Sequence, residues 1–236
     1  GTRRPTIQGD VTVFDVASGE RPLILDGPTV TARRTAAVSA LAARWLAPDL
    51  NGPMLIVGAG VQGQAHIEVF AAALGVTQFR IASRRRASAE ALAEHARGLG
   101  LQAEVVDDAD AALADCPLAA TCTPASEVVL RAAPRADAFI AAVGAFTPQM
   151  VEIDAELCRR IAAQGRIVVD SRDAGHEAGD LLQAGLDVDA MPALADIVRA
   201  QQTARAEGGP VLFKSCGWAG WDLAAARLAV QARAGG

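Results

Sequence analysis

From Met54 onward, short and almost wholly apolar runs alternate with longer stretches rich in Ala, Glu and Arg. The runs Met54–Val57, Phe79–Ser83, Gln102–Val106, Leu118–Cys122, Ala138–Val143 and Arg166–Asp170 read as strands, and several of the segments between them have helical character. Strand, helix, strand in this rhythm predicts a parallel sheet with helices on both faces. Ahead of it, 11–15 and 22–26 alternate like paired strands around Ser18-Gly19, which predicts a hairpin. An Ala-rich helix follows over Thr29–Leu46, stopped by Pro48 and the breaker Asn51-Gly52-Pro53. After Gly185 the rhythm breaks, and a polar stretch around 201–209 leads to the apolar run 211–214 and a last helix near Trp218–Ala232. The expected architecture is α/β: a Rossmann-type doubly wound parallel sheet over 54–192. A second, smaller α+β lobe for substrate binding and dimerisation is expected from 1–53 plus 193–236.

The loop after the first apolar run changes the picture most. Gly58-Ala59-Gly60-Val61-Gln62-Gly63 follows Met54–Val57 directly and opens the helix-competent stretch Gln62–Leu74. A glycine triplet alone is weak, but strand before and helix after make it a dinucleotide fingerprint. Gly58 permits the tight turn, Gly60 lets the backbone approach a pyrophosphate, and Gly63 allows close helix–strand packing. The helix N-terminus then faces the anion. At the end of the second strand, where an acid would select NAD(H), the chain has Ser83-Arg84-Arg85-Arg86. A hydroxyl and planar guanidiniums suit the oxygens of a 2′-phosphate, so NADP(H) is expected ahead of NAD(H).

Composition narrows the alternatives. The net charge of −5, with no dense basic run apart from 84–86, gives no footprint for nucleic acid. No apolar stretch reaches the ~18–20 residues that span a bilayer, and the first residues lack the order of a signal peptide, so neither a membrane nor export is expected and the cytoplasm is. Four scattered cysteines without a C-x-x-C pair read as reduced thiols and not as a zinc site. Asp173, His176, Glu177 and Asp180 recur at helical spacing but read as a solvated face, with no metal expected. His66 reads as a packed or surface imidazole, and Ser215-Cys216-Gly217 lacks the leading glycine of a nucleophile elbow.

Several motifs taken together resemble one family. They are Thr31-Ala-Arg-Arg-Thr-Ala-Ala37, Gly58–Gln62, Thr121-Cys-Thr-Pro124, Val143-Gly-Ala145, Val168-Val-Asp-Ser171 and Phe213-Lys-Ser-Cys-Gly217 followed by Asp222-Leu223. In combination, over nearly the whole chain, they look like the ornithine cyclodeaminase/mu-crystallin family. Within it, Ala142–Pro148 with His176-Glu-Ala-Gly-Asp180 is most similar to the reductases of Δ1-pyrroline-2-carboxylate and Δ1-piperideine-2-carboxylate. The resemblance implies a homodimer, a small cyclic imino acid as substrate, and Arg34 as the clamp on its carboxylate. A guanidinium fork suits that task, because two parallel hydrogen bonds fix the adjoining C=N carbon. Arg33, about 100° away around the helix, is expected at the surface or on a cofactor phosphate. The resemblance also implies cofactor contacts at Thr6, Val61, Gln62, Ser83, Arg84, Thr123, Val143 and Ser215, with Cys216 beside the substrate. Arg85 of the basic turn and Thr121 of the Thr121–Pro124 motif are expected to join them.

The chain also departs from that family. Ornithine cyclodeaminases carry an Asp where Phe146 stands and a Lys where Met150 stands. A phenyl ring neither accepts a proton nor orients water, so ammonia loss lacks its general base. Phe146 is instead expected to line a pocket for the ring methylenes. Family members also have several dozen residues ahead of the segment that starts here at Gly1, so the N-terminal part of the second lobe is expected to be missing. The resemblance implies that this stretch carries an Arg and a Lys for the pocket, the Lys or a water serving as proton donor. The expected activity is NAD(P)H-dependent reduction of cyclic ketimines. Its rivals are an NAD-dependent cyclodeaminase, a non-catalytic NADPH-dependent small-ligand binder, and an NADP-linked alanine or opine-type dehydrogenase.

Overall fold

The computed structural model describes residues 7–124, 126–201 and 208–235. Strands β1 (Asp10–Val13) and β2 (Leu23–Asp26) pair antiparallel as the predicted hairpin. Helix α1 (Gly27–Leu46) starts where Asp26 accepts a hydrogen bond from the Thr29 N–H and Pro28 sits in the first turn. The cap satisfies one orphan amide, and the proline occupies a position whose own N–H would have had no helical partner.

Seven strands form one parallel sheet: β3 (Met54–Val57), β4 (Gln78–Ala82), β5 (Gln102–Val105), β6 (Leu118–Thr121), β8 (Phe139–Ala142), β10 (Arg166–Val169) and β11 (Val211–Lys214). Their order across the sheet is β10-β11-β8-β6-β3-β4-β5, so strand succession reverses between β3 and β6. That reversal opens a crevice beyond the strand C-termini, where sheets of this kind bind their ligands. Helices α2 (Val61–Leu74) and α3 (Arg86–Gly98) follow β3 and β4, as the sequence predicts.

Both faces of the central strands are buried, which is why these strands read as continuous apolar runs and not as alternation. On one face Ile56, Ile81, Phe139 and Phe213 pack with α1 and α2 through Val38, Leu46, Ile67 and Phe70. On the other, Leu55, Ala119, Ile140 and Leu212 meet Leu113 of α4 (Ala109–Leu113), Leu157 of α5 (Ala155–Gln164) and Leu181 of α6 (Gly179–Gln183).

Two elements assigned by sequence to the second lobe belong with this sheet. Strand β11 lies inside it, between β8 and β10, and α1 shares the core of its first face. The reason is the apolar content of Val211–Phe213 and of the inner side of α1, which only a sheet face can bury. Helix α7 (Leu194–Ala200) precedes β11, and α8 (Ala219–Ala234) packs back on α1. A second small sheet, β7 (Ser126–Leu130) with β9 (Val151–Ile153), runs parallel and was not foreseen.

Candidate functional site

The glycine turn is shaped for close approach. Gly58 has φ of +116°, and a Cβ there would lie 2.5 Å from the Cys122 carbonyl oxygen. At Gly63 a Cβ would lie 2.1 Å from the Gly58 carbonyl oxygen, so this glycine joins helix α2 to strand β3. Gly60 differs: it is exposed, and a Cβ would meet nothing within 4 Å. Space therefore opens in front of the α2 N-terminus, where main-chain N–H groups and the helix dipole favour an anion. Beside it the Gln62 Oε1 is buried and has no hydrogen-bond partner. The Cβ-free opening at this helix start fits a dinucleotide pyrophosphate, and the orphaned Gln62 Oε1, an acceptor, fits a hydroxyl donor such as that of a neighbouring ribose. Val61 is exposed and Thr6 lies outside the described residues.

At the end of β4, Ser83 is half-buried, and Arg84 and Arg85 are exposed. Arg86 points to Asp107 and Glu90, while Arg84 reaches to 4.0 Å from Glu127. The guanidinium of Arg86 is thus committed to carboxylates, and Arg84 and Arg85 form the basic rim.

The ends of β6 and β8 are held by a residue that sequence reasoning missed. The buried Glu152 carboxylate accepts from the Thr121 hydroxyl (2.8 Å), the Thr123 N–H (2.7 Å), the Thr123 hydroxyl (2.8 Å) and the Gly144 N–H (2.6 Å). Burial pushes this carboxyl above the ordinary glutamate range, and the charge of Lys214 and the donors of Thr123 and Thr121 pull the other way. Thr121 and Val143 are buried; the Thr121 hydroxyl is spent on Glu152, which explains its place in the motif without a ligand.

Lys214 and Asp180 form a fully buried ion pair at 2.8 Å. The other Asp180 oxygen accepts from the N–H groups of Glu152 (2.6 Å) and Ile153 (2.9 Å). The solvated helical face expected for Asp173, His176, Glu177 and Asp180 holds only in part: Asp173 and His176 are exposed and Glu177 is half-buried, but Asp180 is interior and the four share no helix. Residues 172–176 form a 3-10 turn, α6 begins only at Gly179, and the lone charge of Lys214 at the end of an apolar strand requires Asp180 in the interior. Among the described residues no group of three metal-binding side chains occurs.

Beyond β11, Asp170 organises the chain. Its Oδ2 accepts from the Ser215 hydroxyl (2.9 Å) and from the N–H groups of Cys216 (3.0 Å) and Gly217 (2.7 Å). Burial raises the Asp170 carboxyl, and those donors oppose the rise. Gly217 has φ of +95°, and its missing Cβ leaves room for Arg34, whose Nη1 would lie 3.4 Å from it. Arg34 Nε donates to Asp222 Oδ1 at 3.1 Å. Arg34, reached from α1, and the glycine turn, reached from β3, thus lie at the same edge of the sheet. The Cys216 thiol is pushed up to about 12, chiefly by burial, so it stays protonated at neutral pH. Phe146 is half-exposed on the loop after β8, and Arg33 is exposed.

His66 is fully buried. Its Nδ1 lies 2.7 Å from the Gln62 carbonyl oxygen and its Nε2 3.0 Å from the Ser39 hydroxyl. A carbonyl only accepts, so Nδ1 carries the proton and Nε2 accepts. The ring joins α2 to α1, the helix that carries Arg34.

Across residues 2–235 the sequence matches the model of the ornithine cyclodeaminase/mu-crystallin family. The chain belongs to this family. Among its relatives, Delta(1)-pyrroline-2-carboxylate reductase 2 of Burkholderia ambifaria is 39% identical, over 98% of this chain and 73% of that protein. The Delta(1)-pyrroline-2-carboxylate/Delta(1)-piperideine-2-carboxylate reductase of Azospirillum brasilense is also 39% identical, over 98% and 72%. Of solved structures, the Thermococcus litoralis Delta(1)-pyrroline-2-carboxylate reductase in complex with NADH and L-proline superposes with a TM-score of 0.88. It is 26% identical and covers 97% of this chain, which spans 72% of it. The family fold agrees with the mixed α/β architecture described above. Among the described residues no helix is long and apolar enough to cross a membrane.

Proposed function

We propose that this member of the ornithine cyclodeaminase/mu-crystallin family reduces the C=N bond of cyclic 2-carboxylated ketimines, Δ1-pyrroline-2-carboxylate and Δ1-piperideine-2-carboxylate, to proline and pipecolate. The observation that carries the reading is Arg34 seated over Gly217 on the same sheet edge as the open Gly60 turn. On this reading a carboxylate clamp and a dinucleotide cradle share that edge, and the relatives named above are reductases of such imines.

The reduced nicotinamide, when bound, supplies the hydride to C2 of the imine. Asp222 occupies Arg34 Nε and leaves the two terminal nitrogens, which lie beside Gly217, as the fork for the substrate carboxylate. Gripping that carboxylate fixes the adjacent imine carbon in position, which removes most of the orientational part of the barrier. The imine nitrogen carries its proton into the site or receives it during transfer from a lysine or a water. Cys216, held as a thiol, contributes a small neutral surface beside the ring. Phe146 covers the ring methylenes and excludes water that would hydrolyse the imine. The two substrates differ by one methylene, so discrimination between them is about 1–3 kcal/mol at most.

Cofactor roles are assigned to Gly58, Gly60, Val61, Gln62 and Gly63 at the pyrophosphate, Ser83, Arg84 and Arg85 at the adenosine ribose, and Thr123, Val143 and Ser215 nearer the nicotinamide. NADP(H) is the preferred form on the strength of the Arg84–Arg85 rim. The β1–β2 hairpin and α8 form the substrate and dimerisation side of a homodimer, a reading supported by exposed Phe14, Val16, Ile24 and Leu228. The expected compartment is the cytoplasm.

The test follows NADPH and NADH absorbance with both ketimines. Oxidation of NADPH with formation of proline and pipecolate is expected. Tight NADPH binding with no oxidation by either ketimine would overturn the activity, as would release of ammonia from ornithine in its place.

A further inference from the structure

The carboxylate of Glu152 joins the C-terminal ends of β6 and β8. It comes from neither strand: β9, an edge element outside the main sheet, delivers it. Its two oxygens divide the work. Oε1 holds the N–H and hydroxyl of Thr123, and Oε2 holds the Thr121 hydroxyl and the Gly144 N–H. At Gly144 a Cβ would lie 2.2 Å from the Thr123 carbonyl oxygen and 2.5 Å from Glu152 Oε1, so the two chain ends are drawn to backbone contact around this carboxylate.

The main chain of Glu152 is fixed in turn. Asp180 accepts from the amides of residues 152 and 153, and Asp180 is paired with Lys214, the last residue of β11. One buried chain of contacts therefore connects the ends of β6, β8 and β11, from which Thr123, Val143 and Ser215 project. A purely structural staple between β9 and the sheet could have used apolar side chains at less desolvation cost. Two buried carboxylates aimed at the ligand edge fix main-chain positions more sharply than packing does.

We infer that Glu152 is a positioning residue for hydride transfer, setting the separation of the Thr123 and Gly144 chain ends that hold the nicotinamide half of the cofactor. The inference rests on the reading of this edge as a nicotinamide site. It distinguishes the two halves of the dinucleotide by degree: Glu152 binds the Thr123 and Gly144 chain ends directly, and meets the 58–63 turn only through the packing of Gly58 on Cys122 and Thr123.

The experiment compares wild type with Glu152→Gln, which keeps the shape and replaces one acceptor oxygen by a donor facing donors. Three quantities are measured: kcat and KM for ketimine, Kd for NADPH, and Kd for 2′-phospho-ADP-ribose, a probe lacking the nicotinamide. The expected result is a kcat lowered by about tenfold to a hundredfold, a weakened NADPH Kd, and a probe Kd within about twofold of wild type. Equal weakening of NADPH and probe, or an unchanged kcat, overturns the inference. If Glu152→Gln does not fold, Thr121→Val decides: it removes one of the four donors at constant size, and the same split in smaller degree is expected. If wild type turns over no ketimine, the functional reading fails. The positioning role is then judged by the two Kd values alone, where equal changes refute it.

Discussion

Arg34 and Asp222 stand 188 positions apart in sequence and meet through a 3.1 Å contact between Nε and Oδ1. Both are largely covered, with side-chain exposures of 14% and 28%. The pair directs the guanidinium: with Nε engaged, the two terminal nitrogens are the ones left to face a carboxylate.

Arg34→Ala is expected to raise the KM for ketimine and lower kcat, together costing about 2–4 kcal/mol in kcat/KM, the range for losing a charge-assisted bidentate contact. NADPH affinity should stay within about twofold, because the dinucleotide turn belongs to a different element. Steady-state kinetics with parallel NADPH titration checks this, and unchanged kinetics would remove Arg34 from the mechanism.

Asp222→Asn retains a hydrogen-bond acceptor for Nε but loses the charge. A smaller rise in KM than in Arg34→Ala is expected, about threefold to tenfold, with kcat less affected. An effect larger than that of Arg34→Ala would assign Asp222 a direct part in the chemistry.

The two glycines of the turn should separate stability from binding. Gly63→Ala sets a Cβ against the Gly58 carbonyl and should cost about 1–3 kcal/mol of stability, a fall in Tm of roughly 2–10 °C for a chain of this size. Gly60→Ala has open space around its Cβ, so Tm should hold while NADPH affinity falls by about tenfold or more. Thermal melts and cofactor titrations on the two variants distinguish these outcomes.

Removing the basic rim tests cofactor choice. Arg84→Ala is expected to lower kcat/KM with NADPH by about tenfold and to leave the NADH value nearly unchanged. Equal losses with both cofactors would show that the guanidinium does not read the 2′-phosphate.

His66 gives the fold a pH dependence whose sign is fixed. Desolvation lowers its pKa from 6.5 to about 4, so the folded state resists a proton that the unfolded chain accepts. Its stabilising effect is complete above about pH 6.5 and is lost as pH falls toward 4; full loss amounts to about 3 kcal/mol. Glu152 and Asp170, whose pKa values are raised, act in the opposite sense, so the comparison is made between variants. Denaturant unfolding at pH 7 and pH 4.5 should show a smaller drop for His66→Gln than for wild type. Parallel drops would mean that the buried imidazole is not what titrates.

Much of the scaffold was legible because its signals are local. Strands buried on both faces read as apolar runs, and the Gly58–Gly63 turn carries its function in its spacing. Arg34 came from the family resemblance, with Asp222 quoted beside it though without a role. What escaped is what depends on contacts distant in sequence. Glu152 stands in a three-residue strand, too short to show a period, and its importance lies in Thr121, Thr123 and Gly144. Asp180 sits beside His176 and Glu177 at spacings that mimic a helix face, and only Lys214, 34 residues later, reveals it as interior. The one available hint was a lysine closing the apolar run Val211–Phe213. The placement of β11 was hidden for the same reason, since sequence order says nothing of which neighbours a late strand will separate.

That strand has a consequence for how the molecule assembles. Because β11 stands between β8 and β10, each of those two lacks a partner on its facing side until residue 214 has been added. A ribosome releasing this chain would hold a sheet with a slot in it from residue 169 to residue 214, with the hydrogen-bonding edge of Phe139–Ala142 unpaired. Closing the slot also brings Lys214 to Asp180 and Ser215 to Asp170, so completion of the scaffold and completion of the ligand edge are one event.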